Sequence, residues 1–350
     1  MNTEIIKITE LDSKARDELS RAAQIIADGG LVVFPTETVY GLGADGTNAD
    51  AASKIYRAKG RPSDNPLIIH IASPEDAERY TVVTETYKKL AEVFMPGPLT
   101  VVLPAKEIIP LATRASLPTV AVRCPSHPIA RELIRLSGVP IAAPSANLSG
   151  SPSPTKASHV IDDMMGRVDM IIDGGNSEFG LESTIVKIDS DGGLTLLRPG
   201  KITVSDLSAV VGNVKIADAV TAPLKEGERV LSPGMKYRHY APKAPVYLLD
   251  GDSASIYKYI EEKSKDTRIA VLCYNSDVEN IKSISENIFV YVFGDENDEL
   301  TQAHKLFDIL RDADKRDFDE IYAPVPKTAG IGLALYNRMI RAAAYHIIRL

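Results

Sequence analysis

Cysteine is nearly missing from this chain. Its 350 residues hold two, Cys124 and Cys273, far apart in sequence. That excludes a disulfide framework, and no C-x-x-C pair is present to begin a zinc site. Both are expected to be buried thiols at strand ends. Long apolar runs are missing as well, so no segment reads as a membrane span. The opening MNTEIIKITELDSK alternates acids and bases where a signal peptide needs an apolar core, and a cytoplasmic protein is expected. There is no excess of positive charge: 40 Lys and Arg against 47 Asp and Glu give a formal net charge of −7. Chains that grip nucleic acid along their length are normally basic, so any RNA contact here is expected to be local or indirect. A small anion remains an acceptable ligand, because a pocket can be basic on an acidic protein.

Several chemical signatures are absent too. There is no GxxxxGK[ST] loop, and no GxGxxG follows the first strand of the C-terminal half. No Ser-His-Asp order or pair of opposed carboxylates is visible, and no carboxylate cluster suggests a metal cage.

What is present is a folded composition, 44% hydrophobic and 25% charged, in a length that suits two domains. Both halves alternate strands and helices. GGLVVFP (29–35), NPLIIHIAS (65–73), LTVVLPA (99–105), LPTVAVRCP (117–125), VPIAAPSAN (139–147), DMIIDGG (169–175), ESTIVKID (182–189) and LTLLRPG (194–200) read as strands. DAASKIYRAKG (50–60) reads as a helix closed by Gly60, and ETYKKLAEVFM (85–95) as one stopped by Pro96 and Gly97. HPIARELIRLSG (127–138) has Pro in its first turn and Gly past its end. From about residue 212 the period is lost, and 212–243 reads as a linker between a domain over 1–211 and another over 244–350. In the second domain PVYLLDG, TRIAVLCYN, NIFVYVFGD and FDEIYAPVP read as four strands, each followed by a helical segment, the last being GIGLALYNRMIRAAAYHII. That is a Rossmann-like, doubly wound parallel pattern.

Polar and Gly/Pro clusters recur at the strand ends of the first half, where α/β proteins place chemistry. PTETVYGLGAD (35–45) offers Thr36, Glu37 and Thr38. KGRPSDNPL (59–67) carries Lys59, Arg61 and Asn65 on a rigid turn. Arg supplies planar two-point bonding to phosphate and Lys a compact charge, although cations at a helix end also simply complement its dipole. His70 sits in an apolar strand, where a satisfied core histidine is the commoner case. Arg123 ends VAVRCP and needs an anionic partner, either an internal acid or a substrate carboxylate. APSANLSG (143–150) supplies Ser145, Asn147 and Ser149; ESTIV (182–186) supplies Glu182, Ser183 and Thr184; LRPG (197–200) supplies Arg198. Together they describe an anion- and nucleotide-binding site without a Walker motif. SPGMKYRHYAP (232–242) packs cations and aromatics into the linker between two prolines. It reads as a lid that completes that site, with Ser232 and His239 first and Lys236 and Tyr240 behind them.

In this order and spacing, PTETVYGLGAD, KGRPSDNPL, VAVRCP, APSANLSG, ESTIV and LRPG resemble the YrdC-like domain. SPGMKYRHYAP with its α/β tail is similar to the longer, two-domain form of the threonylcarbamoyl-AMP synthases. The resemblance implies an N-terminal twisted open α/β sheet and an enzyme that joins L-threonine, bicarbonate and ATP into threonylcarbamoyl-AMP, releasing pyrophosphate. A partner transferase would then modify tRNA next to the anticodon; strong direct tRNA binding is not expected. It implies Lys59 and Arg61 as catalytic residues. Thr36, His70, Arg123, Ala143 and Ser183 would hold L-threonine. Lys59, Arg61, Asn65, Thr119, Ser145, Ser153, Arg198, Ser232 and His239 would hold ATP. Mg2+ is expected mainly on the phosphates, with no protein metal site. The competing readings are an RNA-binding module and a carbamoyl-transfer domain of the hydrogenase-maturation type. The acidic charge speaks against the first, and two isolated cysteines cannot supply the zinc fingers of the second.

Overall fold

The computed structural model describes residues 2–223 and 240–350. Ser232, Lys236 and His239, and with them most of the expected lid, lie outside the described residues. The chain forms two compact units. One is built from residues 2–149 and 153–220, the other from Gly150–Pro152, Thr221–Pro223 and residues 240–350. Among the described residues no helix is long and apolar enough to cross a membrane.

The first unit is one mixed sheet. Its strands are β1 (Glu4–Lys7), β2 (Val32–Phe34), β3 (Gly41–Asp45), β4 (Ile68–His70), β5 (Leu99–Pro104), β6 (Thr119–Arg123), β7 (Ile141–Ala142), β8 (Met170–Asp173), β9 (Thr184–Ile188), β10 (Leu194–Arg198) and β11 (Val214–Ile216). They lie in the order β1-β8-β2-β3-β7-β4-β6-β5-β9-β10-β11. Its helices are α1 (Ser13–Ala27), α2 (Ala49–Lys59), α3 (Ala77–Tyr80), α4 (Glu85–Phe94), α5 (Pro128–Ser137), α6 (Ala157–Met164) and α7 (Val204–Val211).

Local chemistry accounts for the helices. Asp12 caps α1 by accepting from the Ala15 N–H, and Leu19, Ala22, Ala23 and Ile26 recur at helical spacing on its buried face. That face joins Ile129, Leu133 and Ile134 of α5 over Val32, Phe34 and Met170 of the sheet. Each such Leu or Ile stabilises the unit by roughly 1.5–3 kcal/mol. α2 ends at Gly60, whose φ of 60° closes the helix in the left-handed region and turns the chain toward β4. Gly200 serves the site directly: a Cβ there would lie 2.5 Å from the Thr184 nitrogen and 2.9 Å from the Glu182 oxygen. Only a residue without Cβ lets the 198–200 backbone pass that close to the start of β9.

The second unit contains β12 (Val246–Asp250), α8 (Ser253–Lys263), β13 (Ile269–Tyr274), α9 (Val278–Lys282), β14 (Ile288–Gly294), α10 (Glu299–Ala313), β15 (Glu320–Pro324), α11 (Gly332–Ala342) and β16 (Ile347–Arg349). The sheet order is β14-β13-β15-β12-β16, and every pairing is parallel. The doubly wound parallel reading therefore holds, with two corrections to detail. The last helix stops at Ala342, and the end of the expected helix is the edge strand β16. The expected linker opens with a strand, since β11 pairs with β10 before the turn at Asp218–Val220.

Candidate active site

Sheet register assembles a polar row from distant segments. His70 on β4 stands opposite Arg123 on β6, and Arg123 stands opposite Thr100 on β5. Thr100 Oγ1 lies 2.7 Å from Ser183 Oγ, just ahead of β9. Arg198, at the end of β10, donates to the Ser183 carbonyl at 3.0 Å and to its hydroxyl at 3.1 Å. A register shift between Leu196 and Arg198 re-aims that arginine, as bulges do. All five side chains are buried.

Glu37 adds the charge that the row needs. Its Oε1 accepts from Arg123 Nη2 at 2.7 Å, and the two side chains are 3% and 5% exposed. Burial would raise the Glu37 carboxyl, but the adjacent Arg123 charge and hydrogen bond outweigh it and hold the group below its ordinary value of 4.5. Arg123 thus has the internal acid foreseen as one of its two partners. The turn bearing Glu37 is fixed by Thr36, whose Oγ1 lies 2.6 Å from the Val39 carbonyl and 2.9 Å from Thr38 Oγ1.

His70 is a core histidine with an exact proton assignment available from its partners. Its Nδ1 lies 3.2 Å from the Ile68 carbonyl and 3.3 Å from the Ile141 carbonyl. Carbonyls only accept, so Nδ1 carries the hydrogen and Nε2 keeps a lone pair. Burial, reinforced by the Arg123 charge, pushes the imidazole down to about 3. His70 is therefore neutral, an acceptor rather than a base.

A second group of expected residues gathers at the loop after β7. Lys59, at the end of α2 and 3% exposed, donates to the carbonyls of Ser145 at 2.6 Å and Asn147 at 2.5 Å, and to Asn147 Oδ1 at 3.3 Å. Its ammonium organises this loop. Ser145 donates to Asn147 Oδ1 at 2.5 Å and bridges Gly41 at the start of β3, which ties the loop to the Thr36 turn. Ala143 is buried beside Gly41. Ser153 is buried and donates to Glu182, the residue before Ser183.

Arg61 folds back on its own turn, with Nη2 donating to the Asn65 and Pro66 carbonyls at 3.0 and 3.1 Å. The Asn65 amide is buried, and neither Oδ1 nor Nδ2 has a hydrogen-bond partner among the described residues. Thr119 opens β6, whereas Arg123 ends it, about 13 Å further along the strand. Thr119 therefore stands away from the polar row, opposite Pro104 of β5. Glu37 and Thr100 are the members that the sequence reading did not assign. Glu37 could have been found by asking which acid neutralises Arg123. Thr100 carried only the alternation of LTVVLPA.

A buried polar row that includes two arginines in a mixed sheet, together with a parallel α/β unit, defines a two-domain α/β protein. The comparisons agree. Residues 24–200 match the family described as "Telomere recombination" (Sua5, YciO, YrdC), and residues 202–344 match "Threonylcarbamoyl-AMP synthase, C-terminal domain". Threonylcarbamoyl-AMP synthase of Pyrococcus abyssi is 43% identical over 94% of this chain and 94% of its own length. That of Bacillus subtilis is 42% identical over 98% of each. The crystal structure of P. abyssi Sua5 complexed with L-threonine has a TM-score of 0.89 at 41% identity, covering 99% of this chain and 100% of that one. The chain belongs to the threonylcarbamoyl-AMP synthase family.

Proposed function

We propose that this chain condenses L-threonine, bicarbonate and ATP to threonylcarbamoyl-AMP and pyrophosphate. The observation that carries the reading is the buried row His70–Arg123–Thr100–Ser183–Arg198 with Glu37 on Arg123. Such a row suits an amino acid at its Arg123 end and a polyphosphate at its Arg198 end. Arg123 receives the threonine carboxylate, and His70 Nε2 accepts a hydrogen bond from the amine or hydroxyl. Thr36 and Ala143 line the same end, and Ser183, bonded to both Thr100 and Arg198, meets threonine from the junction with the phosphate end.

The threonine ammonium group gives up one proton, and the neutral amine then combines with bicarbonate to give a carbamate with loss of water. A carbamate oxygen then bonds to the α-phosphorus of ATP as the bond to the β-phosphate oxygen breaks and pyrophosphate leaves. Two anions must meet, so charge stabilisation is the dominant requirement. Arg61 and Arg198 bear on the triphosphate. Lys59 supplies charge from behind while holding the loop of Ser145, and Asn65, Thr119 and Ser153 complete the ATP contacts, with Ser232 and His239 added from the linker. His70 stays neutral, so the amine proton leaves to bicarbonate or solvent.

Among the described residues no group of three His, Cys, Asp or Glu side chains is placed to hold a metal. The donors here suit a Mg2+ that enters on the triphosphate and keeps its waters. The product is a mixed anhydride, which calls for a group-transfer enzyme acting on tRNA downstream.

The test is ATP-dependent pyrophosphate release by the purified chain. Release that requires both L-threonine and bicarbonate is expected. Release indifferent to them overturns the reading and leaves the RNA-binding module as the alternative.

A further inference from the structure

The second unit holds a cavity of about 290 Å³ at the carboxyl ends of β12, β13 and β15. Its place follows from the winding. β12 sends its chain across β15 to β13, while β15 sends its own chain past β12 to β16. Neighbouring strands whose chains leave in opposite directions open a crevice at their carboxyl ends, where open α/β sheets bind ligands. The volume is at the small end of the range for ligand pockets, about 300–1,000 Å³.

The lining divides into a floor and a rim. The floor is aliphatic, from Ile256, Ile260, Val271 and Ile281 under α8 and α9. Asp250, Asp277 and Glu296 stand among the lining residues, and among the described residues no Lys, Arg or His does. One rim acid is partly offset, since Arg349 Nε lies 4.0 Å from Asp250 between two exposed side chains. Asp277 is held in place by the Tyr257 hydroxyl, which donates to its Oδ1.

Between floor and rim are two side chains without a task. Cys273 is 4% exposed and Tyr274 half-buried; neither has a hydrogen-bond partner among the described residues. The ladder to β14 also slips between them, with Cys273 opposite Val292 but Tyr274 opposite Gly294. A bulge at this point re-aims the end of β13, as bulges next to ligand sites do.

We propose that this cavity binds a small organic cation, with its ammonium group at the Asp277 and Glu296 carboxylates and its apolar body on the aliphatic floor. Tyr257 and Tyr274 are also in the lining, and an aromatic ring is a favourable neighbour for a cation. The rim repels phosphates, so the ligand is not a nucleotide, and the site is separate in chemistry from the anion site of the first unit.

The experiment uses the full chain and three probes of equal length: hexylamine, hexan-1-ol and hexanoate. Titration calorimetry is expected to show one saturable hexylamine site, hexan-1-ol weaker by about tenfold, and no hexanoate binding. An Asp277→Asn, Glu296→Gln double variant should weaken hexylamine by about tenfold and leave threonine-dependent pyrophosphate release at the wild-type rate. Should that variant not fold, the wild type still decides the matter. Raising salt from about 0.05 to 0.5 M should weaken hexylamine several-fold and leave hexan-1-ol unchanged. Absence of saturation, equal affinity for the three probes, or salt-insensitive hexylamine binding overturns the proposal.

Discussion

Replacing Glu37 with Gln keeps the shape of the Glu37–Arg123 pair and removes one of its charges. Two unit charges about 4 Å apart attract by about 4 kcal/mol at an effective dielectric of ~20. Removing one member of a buried pair typically costs ~3–5 kcal/mol, because the other is left uncompensated. Both side chains here are nearly inaccessible, so solvent offers little relief. At ~2–4 °C per kcal/mol for a unit of this size, Glu37→Gln should lower the Tm of the ligand-free protein by about 6–20 °C. The threonine response discriminates further. With Glu37 neutral, the substrate carboxylate becomes the anion that Arg123 requires. Threonine should therefore raise the Tm of the variant by more than it raises that of the wild type, in the same differential-scanning experiment. The pH dependence carries a sign as well. Glu37 has a depressed folded pKa, so its stabilisation is complete above the unfolded value of about 4.5 and is lost as pH falls through the folded value. The gap between wild type and variant should then be constant from pH 6 to 8 and shrink below about 4.5. A ligand-free Tm within about 2 °C of wild type would refute the energetic argument. A smaller threonine shift in the variant would show that Arg123 does not face the carboxylate.

Three other outcomes are expected. His70→Leu should lower kcat/KM for threonine about 100-fold, and His70→Gln, which keeps an acceptor, should lose less. Because His70 does not titrate near neutrality, the pH profile of kcat/KM between pH 6 and 8 should have the same shape in the Gln variant as in the wild type. Gly200→Ala forces a Cβ against the Thr184 nitrogen and the Glu182 oxygen, so equilibrium denaturation should show a loss of about 1–3 kcal/mol, with pyrophosphate release reduced. Asn65→Leu removes a buried amide that has no hydrogen-bond partner among the described residues. Stability should rise by about 1–2 kcal/mol while KM for ATP increases, and a fall in stability would refute the reading of that amide as held in reserve for nucleotide.

Where a helix carried its own punctuation, the sequence was enough: Gly60 and Gly138 both close their helices with positive φ, and α5 begins at Pro128. The misread end of the chain lacked such marks. Between α11 and β16 the turn is made by Ala344 and Tyr345, at φ of 46° and 65°, with no glycine or proline to announce it. An alanine-rich run therefore reads as a helix that continues. β11 was missed for a different reason. It is three residues long and largely exposed, so it has no buried alternation, and its existence depends on pairing with β10. The strand order of the first unit is likewise set by non-local pairing. The site shows the same division. Each polar strand end could be named from sequence, but the Glu37–Arg123 pair joins residues 86 apart and is visible only in the fold.

The way the site's cations are held bears on how a protein of net charge −7 can serve a reaction between anions. Lys59 is gripped by the Ser145 and Asn147 carbonyls, Arg61 by the Asn65 and Pro66 carbonyls, and Arg198 by the carbonyl and hydroxyl of Ser183. These bonds fix geometry through neutral dipoles. Arg123 is gripped by a carboxylate, which fixes geometry and cancels charge together. A triphosphate needs the first kind of grip, because several charges must be met at once. An amino acid is a zwitterion and needs the second, because a strongly positive pocket would repel its ammonium group. It follows that Glu37→Gln and Arg198→Gln should fail in different ways. The first should alter threonine recognition and leave KM for ATP close to wild type. The second should raise KM for ATP and spare threonine binding measured without nucleotide. Equal damage to both substrates from both substitutions would mean that the row acts as one charge cluster, and the division of labour along it would be wrong.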